Sequence, residues 1–344
     1  MIFNIGGGVA YETPVLNSSY PANVTQLEKA GGSASFSVKI ATEGNPDTYS
    51  YQWYVNDAAV SGATSSSYTK TGLTSAATYT VYCKVTNKAG SVNSRTAILT
   101  VQTTKPAFSY SGAYSLVQDS TYQWRLKFLT SGVVNFSHLG CFASGIDVFC
   151  VGGGGSGAGN NTGMDGNTGG GGGGGYTTTR KKVALQAGTN YTITIGAGGT
   201  AVGEMTAGNA GGATSAFGVS ASGGGGAPKW GGWGGNGGSG GGSSYTNDGG
   251  TIIAGGHGGY DGGNGGGDHP GSGQGSTTRE FGESGGTLYA GGGGGAWIAS
   301  GVTVLGGSGG GGNGYQKGSD NYGGGGGGGG AAGGSGIAVI RDAR

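Results

Sequence analysis

Gly323 to Gly330, eight consecutive glycines, run through Ala331-Ala332-Gly333-Gly334-Ser335-Gly336 into the apolar segment Ile337-Ala338-Val339-Ile340, and the reading of this stretch decides the fold. Glycine loses more backbone entropy on ordering than any other residue, so a segment this poor in side chains cannot bury a conventional apolar core. It is either disordered or held by its backbone. The closing segment, short, apolar and β-branched, is a strand, and a chain meant to stay disordered has no use for one there. The same contrast recurs upstream. All but 13 of the 92 glycines lie beyond Val151, in runs such as Gly169 to Gly175 and Gly291 to Gly295. Segments carrying Trp, Tyr, Ile and Val separate these runs, and plain linkers lack such residues.

The ordered state open to such runs is polyglycine II, an extended helix of three residues per turn with no hydrogen bond inside its own strand. Every N–H and C=O then needs a partner in a neighbouring helix. An eight-residue run spans about 25 Å at roughly 3.1 Å per residue. A helix in the interior of such a lattice calls for glycine at all three positions of the turn. Around the runs, Val183, Leu185, Tyr191, Ile193 and Ile195 alternate about Ala187-Gly188-Thr189-Asn190, which predicts a hairpin. Tyr122–Leu129, Val133–Leu139 and Ile146–Val151 are further strands, with the Phe and Val content the glycine tracts lack.

Residues 22–102 have another character. Ala34, Phe36, Val38 and Ile40 alternate with polar residues, as do Tyr49, Tyr51, Trp53 and Val55, then Tyr79, Val81, Cys83 and Val85, then Ala97, Leu99 and Val101. Short alternating strands at this spacing predict an antiparallel sandwich with Trp53 in its core. Residues 51–55 and 79–85 resemble strands C and F of immunoglobulin-like domains. The first cysteine of the usual inter-sheet pair is absent, since Phe36 or Val38 stands in its place, and Val81 occupies the corner-tyrosine position.

Phe149-Cys150-Val151 followed by four glycines, a run leading to Ile193-Thr194-Ile195-Gly196-Ala197-Gly198-Gly199, Gly291 to Gly295, and the ending Gly334-Ser335-Gly336-Ile337-Ala338-Val339-Ile340-Arg341 together resemble the glycine-rich domain of bacteriophage and prophage tail proteins. The pattern is also similar to the polyglycine sandwich of tail-fibre tip adhesins, over about residues 122–344. The resemblance implies a body of packed helices and distal loops that touch a bacterial receptor. The expected fold is therefore all-β: an Ig-like sandwich, then a strand-braced glycine-rich domain of packed polyglycine II helices, with essentially no α-helix. The boundaries are an attachment arm at 1–21, the sandwich at 22–102, and the glycine-rich domain at 103–344. Within the last, 103–151 and 176–199 form a strand base, 152–336 the lattice with its loops, and 337–341 the closing strand.

The charge is nearly balanced, 17 Lys+Arg against 16 Asp+Glu, which argues against a nucleic-acid surface. No stretch approaches the roughly 20 apolar residues that span a membrane, and the start has no basic region of a secretory signal. Synthesis in a host cytoplasm and action outside the cell, as part of a virion tail, is the expectation. Cys83, Cys141 and Cys150 are expected as buried thiols, a Cys141–Cys150 bridge being the alternative. His138, His257 and His269 show no metal-ligand spacing, so neither metal nor cofactor is expected. The Gly-x-Ser-x-Gly matches at Ser239 and Ser308 lie in glycine runs with no helix to build a nucleophile turn. Glu280 with Glu283, or Asp261 with Asp268, are the carboxylate pairs glycan cleavage would use, but a binding protein and not an enzyme is the expectation. Recognition then falls to aromatics between the runs: Trp230, Trp233, Tyr245, Tyr260, Trp297, Tyr315 and Tyr322. The alternative for each is bracing of exposed glycine backbone. The partners implied are tail proteins for the N-terminal region and a surface glycan or protein for the loops, on a trimer or a monomer carried by one. A structural virion protein is the other functional class.

Overall fold

A computed structural model describes residues 10–160, 168–229, 233–243, 263–264, 278–296 and 304–344. The chain divides after Lys105 into two compact units, and among the described residues neither contains an α-helix.

The first unit is built from short strands: β1 (Val15–Leu16), β2 (Val24–Leu27), β3 (Ser33–Ser37), β4 (Ile40–Thr42), β5 (Ser50–Val55), β6 (Ala58–Ala59), β7 (Ser67–Thr71), β8 (Ala77–Asn87), β9 (Gly90–Asn93) and β10 (Ala97–Gln102). One sheet runs β2-β10-β8-β5-β6, with β9 beside β8 and only the β2–β10 pair parallel; β3 pairs with β7 and β1 with β4. Inward residues of the sheets meet in one core of Ala34, Phe36, Trp53, Val81, Cys83, Leu99 and their neighbours. This is the core that the alternation predicts. Trp53 is fully buried opposite Cys83, and its indole N–H donates to the Ser65 carbonyl at 2.9 Å. Residues 10–21 lie against this unit through β1 and a bridge from Glu12 to Asn45.

The second unit carries β11 (Ala107–Tyr110), β12 (Tyr114–Ser120), β13 (Gln123–Phe128), β14 (Gly132–His138), β15 (Ile146–Val151), β16 (Thr177–Val183), β17 (Asn190–Ile193), β18 (Thr214–Ala216), β19 (Val219–Ala221) and β20 (Ile337–Asp342). The main sheet has the order β12-β13-β20-β15-β16. The closing strand therefore sits at its centre, between β13 and β15. Strands β15 and β20 are buried on both faces. Val148, Cys150, Ala338 and Ile340 turn to a core shared with β14, β17 and the β18–β19 hairpin. Phe149, Val151, Ile337 and Val339 turn to the other side, where Phe281 and Tyr289 cover them. The expected hairpin over 183–195 is not formed. Its first arm pairs with β15 and its second with β14, in a different sheet. Alternation specifies which face of a strand is buried but not which strand it joins, and both arms had a more apolar partner available than each other.

Between these strands the glycine segments follow a period of three. Gly153, Ser156 and Gly159 donate their N–H to Gly212, Asn209 and Thr206; Gly154 and Gly157 donate to Gly334 and Ala331; Gly155 and Ala158 donate to Gly173 and Gly170. Each step of three along this rod matches a step of three backwards along its neighbour, so all three acceptor rods are antiparallel to it. Its carbonyls accept from Gly199, from Gly224 and Ala227, and from Gly326 and Gly329. The rod at 152–159 thus has six neighbours and makes no hydrogen bond within itself, the hexagonal arrangement of polyglycine II. Glycine is required by contact rather than by backbone angle here. A methyl group placed on Gly155, Gly172 or Gly173 would stand about 2 Å from a neighbouring carbonyl oxygen. The expectation of glycine throughout an interior helix is relaxed at Ser156 and Ala158, which are buried in this rod. Ser156 bonds to Asn209 in both directions: its N–H donates to the Asn209 carbonyl while its Oγ accepts from the Asn209 N–H at 2.7 Å.

Candidate functional site

Chain direction gives the lattice two unlike ends. The rod at 152–159 starts from β15, so Gly152 is basal and Asn160 distal; the rod at 169–175 returns and enters β16. Hydrogen-bond register carries this polarity to the other rods. Met205 N–H donates to the Asn160 carbonyl and Tyr315 N–H to that of Gly328, at the distal end, whereas Gly175 donates to Gly323 at the base.

Of the seven aromatics expected to serve recognition, Trp230, Tyr245, Tyr260 and Trp297 lie outside the described residues. Trp233 and Tyr315 are distal and about half exposed, at 48% and 53%. Tyr315 does both jobs that the sequence left open: its ring lies over Gly329, its hydroxyl accepts from the Asn160 side-chain amide at 3.0 Å, and its outer half faces solvent. Tyr322 is placed at the base. Its carbonyl accepts from Ala290, its ring lies 5.2 Å from that of Tyr289, and it packs over Gly310, so it braces the lattice against the sheet. Tyr315 and Tyr322 share one connection in the sequence, but the segment between them crosses the lattice from end to end.

The distal end also exposes Met205 and Leu305, which the aromatic criterion misses. Large apolar residues that are exposed, in a segment dominated by glycine, were the available signal. Met205 and Tyr315 both bond to Asn160, so they belong to one patch. Asn160 is itself held, its Oδ1 accepting from the Gly169 N–H at 2.9 Å.

A cluster of ion pairs lies at the base. Residues 278–290 lie over the Phe149 and Val339 face of the sheet, with Phe281 in a left-handed conformation (φ 57°) that turns its ring inward. Glu280 is buried and binds Arg125, Lys127 and the Tyr289 hydroxyl. Arg341, fully buried on β20, lies between Asp147 and Glu283 and over the Phe281 ring at 4.1 Å. The Arg341 guanidinium holds the Glu283 carboxyl below its ordinary range. Glu280 and Glu283, one of the carboxylate pairs considered from sequence, are thus each engaged by cations in a clasp that fastens residues 278–290 to the sheet. The other pair, Asp261 and Asp268, lies outside the described residues, as do His257 and His269. Ser239 and Ser308 fall at basal turns with no helix following. Among the described residues no group of His, Cys, Asp or Glu could hold a metal ion. All three cysteines are free thiols, and burial pushes Cys83 up to about 11 and Cys141 and Cys150 up to about 12.

A lattice of glycine rods rooted in a sheet, with Met205, Trp233, Leu305 and Tyr315 exposed at the opposite end, defines a glycine-rich structural domain. Residues 135–342 match the family model described as a glycine-rich domain, more than half of the chain, and the chain belongs to that family. No curated protein matches it.

Proposed function

We propose that the protein is a phage tail-associated adhesin whose distal lattice end recognises a bacterial surface receptor. The supporting observation is that Met205, Trp233, Leu305 and Tyr315, all exposed, stand at the end of the lattice remote from the sheet. Glycine backbone presents nearly the same surface everywhere, so selectivity belongs to these side chains and the connections around them. A scaffold with fixed rods loses little entropy when its end binds, which favours recognition by a small patch. The resemblance to phage tail proteins supplies the biological setting. In that setting the N-terminal unit, read as an Ig-like module, serves as spacer and as attachment to other tail proteins, and the protein acts outside the cell as part of a virion.

The test is binding of the labelled full chain to a panel of bacterial strains. Saturable binding to a subset is expected, reduced at least tenfold by the Met205→Ser, Leu305→Ser double substitution with an unchanged melting temperature. Absence of saturable binding on every strain, or full binding by the double variant, refutes the proposal. The first of these results would instead favour a structural virion role.

A further inference from the structure

Beside the rod at 169–175, Gly225–Gly226 and Gly234–Asn236, level with Gly171 to Gly173, form the floor of a hollow of about 270 Å³ walled by Pro228 and Trp233, with Trp233 toward the distal end. It is a concave site of the kind in which ligands are held, slightly smaller than the usual range of roughly 300–1,000 Å³. Among the described residues its lining contains no ionisable side chain. Two of its backbone donors are unspent: Gly225 N–H is taken by the Asn236 carbonyl and Gly235 N–H by that of Gly171, while among the described residues the N–H groups of Gly226 and Gly234 have no acceptor. An indole face attracts the polarised C–H bonds of a flat aliphatic ring. Glycine floors let a ligand approach the backbone closely, and the register with Asn236 and Gly171 holds the donors in place.

We infer that this hollow binds a neutral pyranose unit of a surface glycan, one C–H face against Trp233 and its hydroxyls on the backbone donors of Gly226 and Gly234. Among the described residues the lining carries no cationic side chain, which disfavours phosphate and carboxylate groups, since these need charge to compensate desolvation. The volume admits one ring rather than an extended peptide. The inference narrows the adhesin reading to a carbohydrate receptor and rests on that reading for its biological meaning.

The experiment is saturation-transfer difference NMR on the full chain with glucose, galactose, mannose and N-acetylglucosamine, and with glucuronate as the charged comparator. At least one neutral sugar is expected to show transfer strongest from the protons of one ring face, with glucuronate weaker. Trp233→Ala should reduce the signal at least tenfold and Trp233→Phe should keep part of it, both with a cooperative melting transition that shows the lattice still folded. No transfer from any sugar, or transfer undiminished in Trp233→Ala, overturns the inference. The two readings separate in cell binding. Binding to bacteria that survives in Trp233→Ala, with no sugar transfer in the parent, leaves the adhesin and overturns the glycan site. Sugar transfer without binding to any strain keeps the glycan site and removes the adhesin.

Discussion

Replacing Gly172 by alanine tests whether contact between rods, rather than backbone freedom, demands glycine. The added methyl would stand 2.2 Å from the Gly155 carbonyl oxygen, and ordinary carbon–oxygen contact begins near 3.4 Å, so the two rods must separate by about 1.2 Å. Two hydrogen bonds cross this interface, Gly155 to Gly173 at 2.8 Å and Ala158 to Gly170 at 3.0 Å. Stretched by that amount they pass 3.6 Å, where a hydrogen bond no longer counts as made. Each leaves a buried donor unsatisfied at about 1–3 kcal/mol, so the loss is about 4 kcal/mol, a large part of the roughly 5–15 kcal/mol that stabilises a domain. For a unit of this length the melting temperature should fall on the order of 10 °C by calorimetry. Gly203 is the control. Nothing lies within 4 Å of a methyl there and its backbone angle is not left-handed, so Gly203→Ala should leave stability unchanged or raise it by about 0.5 kcal/mol through the unfolded chain. Equal melting temperatures for the two variants would refute the lattice argument.

The thiols and the basal clasp yield two further expectations. At pH 8 iodoacetamide should label none of Cys83, Cys141 and Cys150 in the folded protein and all three in denaturant, because burial raises each well above the ordinary range and removes the thiolate; one rapidly labelled cysteine in the native state would contradict the packing. Glu283 titrates below the ordinary glutamate value near 4.3, so the stability it adds through Arg341 is complete above that value and is lost as pH falls through the lower folded one. The gap in melting temperature between the parent and Glu283→Gln should therefore be present at pH 7 and narrow as the pH is lowered below the ordinary glutamate range. A gap that does not narrow on acidification would show that Arg341 stabilises by packing alone.

Much of the fold was legible because its signals are local. The alternation in residues 34–40, 49–55, 79–85 and 97–101 reports a buried face, and Trp53 is found in the core accordingly. The transition from Gly336 to Ile337 reports a strand, and β20 begins there. What eluded sequence was pairing and polarity. Leu185 and Tyr191 flank a genuine turn, yet the strands on either side join different sheets, since partner choice depends on residues such as Val148 and Val134 far along the chain. The period-three bonding of the rods was expected in kind, but which rod meets which has no mark in a run of identical residues.

The site divides in the same way. Trp233 and Tyr315 were visible as aromatics among glycines, but Tyr322 looked the same and lies at the other end, over Gly310 and beside Tyr289. Composition alone set the choice for the residues beyond Val151, disorder or a fold held by its backbone, because glycine has no side chain to bury and every amide still needs a partner. Only the tertiary structure decided where the rods begin and end. The rod at 152–159 takes its direction from β15, hydrogen-bond register carries that direction to the rods around it, and it selects which few side chains stand at the exposed end and which are spent fastening the lattice to its sheet.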